Sequence, residues 1–300
     1  MTLLAFVFIF FSIFLHAAWN LMSKGVKPSM AFYAIMGLIA ALVWLPFFFL
    51  SDWRLADMPW QFFAFLGLSV FGEFIYMLGL AKAYRMADIS YVYPVVRALP
   101  VLMVATVTIV FKLGKTPSAL ALTGMLVIMV GCLIMPMQHF RDFGLKRYWN
   151  RTILFILLAT VGTTCYTIAD SSALSWLRKT VADAGAIDTF AYLFLIEGGL
   201  FLTEIIYVAC SKVERALFCK MFGRTIYPVL AGFSGTLAYA LVLFAMKHVD
   251  NVSYIQAFRQ MSLPVGFFAG VLFLKERASR PKLAGLVLIV AGLVMVALFS

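Results

Sequence analysis

The sequence predicts an all-α polytopic membrane protein: ten transmembrane helices arranged as two inverted five-helix repeats. Three observations carry that prediction: the composition, the spacing of the apolar stretches, and landmarks that recur from one half of the chain to the other. Of the 300 residues, 64% are hydrophobic and 12% charged, and the mean hydropathy is +1.00. A soluble domain runs at roughly 45–50% apolar and ~25% charged. It could not hide this much apolar surface from water, and a disordered chain would be polar and poor in aromatics. The remaining solvent is lipid, where one crossing takes ~20 apolar residues.

Apolar stretches fall at about 2–23, 29–50, 60–81, 89–111, 117–137, 151–177, 186–210, 226–246, 252–274 and 280–299. In hydrocarbon an open chain satisfies its backbone only as helix, so all ten are predicted helical. The first lacks the basic leading segment of a signal peptide and is long enough to span, so it is kept as a helix. Pro94 and Pro100 in the fourth stretch and Pro264 in the ninth bend their helices where a cavity or neighbour takes the freed carbonyls. The connections are short. One of the longer ones, 138–150, is polar and basic through Arg141, Lys146 and Arg147 and divides the chain near its middle.

The halves match each other in order. Gly72, Tyr76, Ser90 and Tyr91 fall on Gly235, Tyr239, Ser253 and Tyr254 at a shift of 163, and Gly124 and Gly131 fall on Gly285 and Gly292 at a shift of 161. This predicts a first five-helix repeat over 1–138, a basic connecting loop over 139–150 and a second repeat over 151–300. Five crossings per repeat put the second into the membrane in the opposite sense, the architecture of secondary transporters with a midplane substrate site. The paired glycines, seven apart on a helix, leave a smooth stripe for a close neighbour.

The formal net charge of +11 does not point to nucleic acid, because the basic residues are scattered between apolar runs. The odd-numbered connections hold 16 of the 24 Lys and Arg and the even-numbered ones 6. The positive-inside rule then makes the odd connections cytoplasmic and puts both termini outside. Cys132, Cys165, Cys210 and Cys219 show no metal-ligand or disulfide spacing and read as small hydrophobes. Trp44, Trp53, Trp60, Trp149 and Trp176 lie near stretch ends, as an interfacial aromatic belt would have them.

A charge inside a membrane helix costs ~2.5–3.5 kcal/mol on insertion scales, so each one calls for a reason. Arg97 and Arg259 lie in the fourth and ninth stretches, corresponding helices of the two repeats. Tyr93 shares a face with Arg97, and Gln256 shares one with Arg259 and Gln260. Two guanidiniums on a cavity would grip a carboxylate, phosphonate or sulfonate; the alternative is structural pairing with a membrane glutamate. The membrane acids are Glu73, Asp170, Glu197 and Glu204. Since low dielectric favours the neutral carboxyl group, Glu73 and Glu197 are the candidates for proton coupling, with His16 as a third. Ser12, His16, Trp19, Asn20 and Ser23 make a polar stripe on the first helix, with interhelical hydrogen bonding as the plainer role for the two serines. Trp19, Asn20, Tyr76 and Tyr239 are expected to line a substrate cavity. No metal-ligand or nucleophile constellation is present, so neither a metal, a cofactor nor a catalytic residue is expected.

A proline-containing apolar helix, then Phe273, Leu274, Lys275 and Glu276, then Gly285 and Gly292, resembles a repeat unit of the EamA-type permeases of the drug/metabolite transporter superfamily. The resemblance covers essentially the whole chain, once per half. Lys115 stands in the first half where Glu276 stands in the second. His16, Ala17, Ala18, Trp19 and Asn20 are similar to a motif of one EamA subgroup, some members of which are associated with phosphonate use. The resemblance implies two inverted five-helix repeats around a central cavity and transport of small metabolites by proton coupling or exchange. It also implies cytoplasmic termini, against the charge count. The function expected from the sequence is therefore a non-enzymatic secondary transporter of the bacterial inner membrane, moving a small anionic or zwitterionic metabolite by alternating access. Its partners are that solute and membrane lipid, with the chain a monomer or homodimer. A lipid flippase on the same fold is the alternative.

Overall fold

A computed structural model describes residues 2–24, 26, 28–51, 53–87, 89–142, 151–181, 184–274 and 279–300. The described residues are helical throughout, without a strand. In chain order the helices are α1 (Leu3–Lys24), α2 (Met30–Leu50), α3 (Trp60–Met86), α4 (Ile89–Val110), α5 (Ala119–Ile134), α6 (Arg151–Thr180), α7 (Ala186–Cys210), α8 (Lys212–Met221), α9 (Tyr227–Met246), α10 (Ser253–Phe258), α11 (Ser262–Leu274) and α12 (Arg280–Phe299). Several begin at serines that satisfy the first free N–H groups. Ser29 accepts from Phe32 N, Ser118 from Ala121 N and Ser279 from Lys282 N. Ser118 and Ser279 also donate across the fold, to Phe299 O at 2.8 Å and Met137 O at 3.0 Å, which pins both ends of the α5–α12 pair.

Each predicted apolar stretch contains helix, but two differ from the expectation of ten plain spans. Among the described residues, eight helices are long and apolar enough to cross a membrane. With 16 residues, α5 is roughly 24 Å long at 1.5 Å per residue, short of a ~30 Å hydrocarbon core. The ninth stretch is not one helix: a 3₁₀ turn, Arg259–Met261, separates α10 from α11. Pro264 supplies the reason, since it has no N–H to donate and its ring collides with the carbonyl four residues back, at Gln260. The short helix α8 had not been anticipated.

The principal pairings cross between the halves: α1 lies on α9, α2 on α7, α3 on α6 and α5 on α12. The paired glycines make the last of these possible. A Cβ on Gly131 would sit 2.7 Å from Gly285 O and one on Gly285 2.6 Å from Gly131 O; Gly124 and Gly292 face each other likewise, at 2.9 and 2.6 Å. The α3–α6 contact has the same basis, with a Cβ on Gly162 falling 2.5 Å from Gly72 O. The connection after α4 docks on the one after α9. Lys115 N donates to Asp250 O, Asn251 Nδ2 reaches Leu113 O and Lys115 O, and Gly114 turns at φ +83° where a Cβ would strike Asp250 O.

The aromatic belt holds only in part. Trp60 is 74% exposed, as a belt residue should be, but Trp44 and Trp53 are buried. Trp44 stacks on Phe190 and Trp53 meets Phe62 edge to face, so both pack within the bundle. Trp149, Lys146, Arg147, Lys275 and Glu276, together with most of the 139–150 loop, lie outside the described residues.

Candidate functional site

The polar side chains of the apolar helices converge on a cavity between them, the concave kind of place where small molecules bind. α1 contributes Ser12, His16 and Trp19, α2 Tyr33, and α3 Glu73 and Tyr76. Tyr166 comes from α6, Glu197 and Glu204 from α7, and Tyr239 from α9, while Arg259 enters from the break between α10 and α11. A smaller space adjoins it, lined by Tyr76, Arg97, Pro100, Thr163, Tyr166, Gln256 and Arg259 among others. Tyr76, Tyr166 and Arg259 belong to both and form the wall between them.

That wall is a row of rings and one guanidinium. Tyr166 meets Tyr76 and Tyr239 edge to face, with centroids 5.9 and 5.8 Å away. Arg259 Nη1 donates to Tyr166 Oη at 3.3 Å. Arg97 is committed elsewhere: its Nη1 donates to Arg259 O at 3.2 Å and its guanidinium lies over the Tyr93 ring at 5.1 Å. The carbonyl it takes lies at the helix break, where it also accepts from Ser262 N, so Arg97 ties α4 to the break. Among the described residues neither arginine forms an ion pair with a membrane acid; the one ion pair joins Arg85 to Glu214.

The acids sit in three environments. Asp170, fully buried, accepts from Tyr192 Oη at 2.7 Å and from Tyr239 Oη. Glu197 Oε1 accepts from Thr236 at 2.8 Å, and Thr236 in turn accepts from Trp44 Nε1. Glu204 is fully buried, and among the described residues neither carboxyl oxygen has a partner. The Trp19 indole donates to His16 Nδ1 at 3.0 Å, so His16 Nε2 is the nitrogen left without a partner. Ser12 is bonded across the helices, to Ala238 O at 2.8 Å, the plainer role expected for it.

Of the side chains singled out in the sequence, the cavities gather His16, Trp19, Glu73, Tyr76, Arg97, Glu197, Tyr239, Gln256 and Arg259. Three lie off the lining. Asn20 donates back to His16 O at 2.8 Å, Tyr93 reaches Ser262 Oγ at 3.3 Å and Gln260 donates to Gln256 O at 2.9 Å. Sequence reasoning missed Tyr33 and Tyr166. Tyr166 carried a readable signal: Thr160, Thr163, Thr164 and Thr167 mark a polar face on α6 at helical spacing, and all four are buried. Among the described residues no group of His, Cys, Asp or Glu could hold a metal ion.

A helical bundle with eight apolar spans among the described residues and a polar cavity between them defines an integral, multi-pass membrane protein. The chain belongs to the family of sugar transport proteins, a transporter family of the drug/metabolite kind whose profile matches residues 36–299. The fold is similar to that of a solved structure titled "Crystal structure of protein", with a TM-score of 0.69 and 14% identity, covering 98% of this chain and 96% of that one. No curated protein matches the chain.

Proposed function

We propose that this transporter moves a small polyhydroxylated solute of the sugar class by alternating access around the central cavity. The observation that carries the reading is the cavity's lining. Carboxyl groups of Glu73 and Glu197 and the guanidinium of Arg259 supply hydrogen-bond partners of both kinds, and Trp19, Tyr33, Tyr76, Tyr166 and Tyr239 supply flat faces. Sugar rings offer hydroxyls to the first set and C–H faces to the second. The anionic substrate suggested by the two arginines finds less support. Arg97 is engaged with Tyr93 and Arg259 O, and three acids stand against one arginine around the larger space. The family's description favours a small solute over a lipid headgroup.

The cross-half pairings support two inverted repeats, 1–138 and 151–300, related by a pseudo-two-fold axis. Under that axis α1 on α9 is the counterpart of α3 on α6, while α2–α7 and α5–α12 map onto themselves. The broken ninth helix, carrying Arg259 into the cavity, fits the discontinuous helices of secondary transporters. The motifs shared with EamA-type permeases support the same architecture, and a bacterial inner membrane suits it. Tyr76, Tyr239, Trp19 and Arg259 are the substrate contacts in this reading, with Arg97 and Gln256 bordering the smaller space and Asn20, Tyr93 and Gln260 supporting them.

Counterflow in proteoliposomes tests the substrate class. A panel of monosaccharides should include at least one that the protein exchanges and that Tyr76→Ala exchanges poorly. Exchange of carboxylates or phosphonates, with no monosaccharide exchanged, would remove the sugar reading.

A further inference from the structure

Resting on the transport reading above, we propose that Glu204 is the proton-carrying carboxyl of the transport cycle. It holds a proton in the conformation seen here and releases it when the cavity opens to the opposite face. The larger cavity has three acids on its wall, and their surroundings separate them. Glu73 and Glu197 remain slightly exposed, at 8% and 7%, and Glu197 is held by the Thr236 hydroxyl. Asp170, deeper in α6, has two phenol donors. Glu204 is 0% exposed, and both its oxygens lack a donor.

An ionised carboxylate needs donors to replace the hydration it loses on burial, and among the described residues neither oxygen of Glu204 has one. As a neutral acid it needs far less. The surrounding charge points the same way. Glu73 comes from α3 and Glu197 from the preceding turns of α7 itself, both acidic. The other titratable groups on the shared wall are Tyr33 of α2, Tyr76 of α3, Tyr166 of α6, Tyr239 of α9, His16 of α1 and Arg259 at the helix break. The acid of the adjacent helix α8, Glu214, is already paired with Arg85. Arg259, the one guanidinium among these lining residues, spends a donor on Tyr166. Nothing in this arrangement balances a third negative charge.

The backbone leaves room for the carboxyl group. A Cβ at Gly37 would sit 3.1 Å from Glu204 Oε2, so the α2 face opposite it is bare. Tyr33, one turn earlier on α2, also has a buried hydroxyl without a partner. Proton balance is simple: one proton enters from the aqueous phase on one side, binds a Glu204 carboxylate oxygen, and leaves as that oxygen meets water on the other side.

Two measurements on purified protein test the assignment. Infrared spectra of the wild type at neutral pH should contain a protonated-carboxyl C=O band that Glu204→Gln removes. In proteoliposomes with an imposed pH gradient, Glu204→Gln should lose accumulation of an exchanged monosaccharide while keeping its counterflow, because exchange needs no net proton release. The assignment is overturned if Glu204→Gln leaves the infrared band untouched, or if the variant still accumulates solute against the gradient. Should Glu204→Gln fail to fold, Glu204→Asp keeps the acid one methylene shorter and must shift the same band; an unmoved band overturns the assignment. If the wild type exchanges no monosaccharide, the sugar reading fails, and the infrared result still decides Glu204.

Discussion

Breaking the Arg85–Glu214 pair should destabilise the protein by more than an ordinary surface ion pair would. Arg85, in the last turn of α3, places Nη2 2.6 Å from Glu214 Oε1 and donates from Nε to Pro28 O at 2.9 Å. Glu214, in the first turn of α8, uses its other oxygen to accept from Ala31 N at 3.0 Å. One carboxylate thus joins the starts of α2 and α8 to the end of α3. The Arg85 side chain is 33% exposed and that of Glu214 6%, so the pair lies between two regimes. Exposed pairs are worth ~0.2–1 kcal/mol, whereas stripping one partner from a buried pair costs ~3–5 kcal/mol. A pair with one end buried should show a coupling energy of about 1–2 kcal/mol. Glu214→Ala also leaves Ala31 N without its acceptor, a further ~1–3 kcal/mol if water cannot reach it. Glu214→Gln keeps that acceptor and should lose only the charged part. The assay is a double-mutant cycle with Arg85→Ala, read by SDS titration of the folded protein in mixed micelles. A coupling energy below ~0.3 kcal/mol, the scatter expected of independent sites, would refute the reasoning.

Gly131→Leu should destabilise by ~1–3 kcal/mol through overpacking, since even a Cβ there falls 2.7 Å from Gly285 O; the same titration reads it. Gly198→Ala, on α7 where a Cβ meets nothing within 4 Å, should instead be neutral or stabilising by up to ~1 kcal/mol. Tyr239→Phe removes one of two phenol donors from the buried Asp170 and should cost ~1–3 kcal/mol in unfolding, with slower counterflow. Cys219 is exposed on α8, in an odd-numbered connection. By the basic-residue count, a membrane-impermeant maleimide should label it in inverted vesicles and not in intact cells; the reverse pattern would put both termini in the cytoplasm.

What the sequence disclosed follows from what lipid demands. A stretch of twenty apolar residues has no alternative to helix, so helix positions emerged with ends displaced by only a few residues. The exceptions needed other information. In the ninth stretch Gln256, Arg259 and Gln260 lower the hydropathy at the interruption and Pro264 follows it, but both signals also fit a bent, continuous helix, and only packing decides between the two. α8 escaped because ten residues with Lys212, Glu214, Arg215 and Lys220 never form an apolar run. At the site, Glu73, Glu197 and Arg259 stood out because charge in lipid is conspicuous. Tyr33 did not, since tyrosine is as ordinary in a lipid-facing stretch as in a cavity wall, and Tyr166 was marked only indirectly, by the threonine face of α6. Tertiary pairing decided which tyrosines turned inward.

The duplication proposed for the chain preserves backbone and relinquishes charge. Close-packing glycines recur in both halves, as do Tyr76 and Tyr239, because two helices that meet through their backbones tolerate no side chain there and a cavity wall needs the same ring on each side. The ionisable groups do not recur. Glu73 corresponds to Thr236, and that threonine donates to Glu197 in place of carrying a charge of its own. Arg97 and Arg259 occupy non-equivalent positions and meet through a carbonyl, one serving the broken helix and the other facing the cavity. Two identical charged halves would face like charges across the pseudo-axis, which low dielectric makes costly. Placing Glu197, Glu204 and Asp170 in one half leaves the other with a single membrane acid, Glu73. The two halves can then share a framework that rocks while only one of them carries most of the protonatable groups.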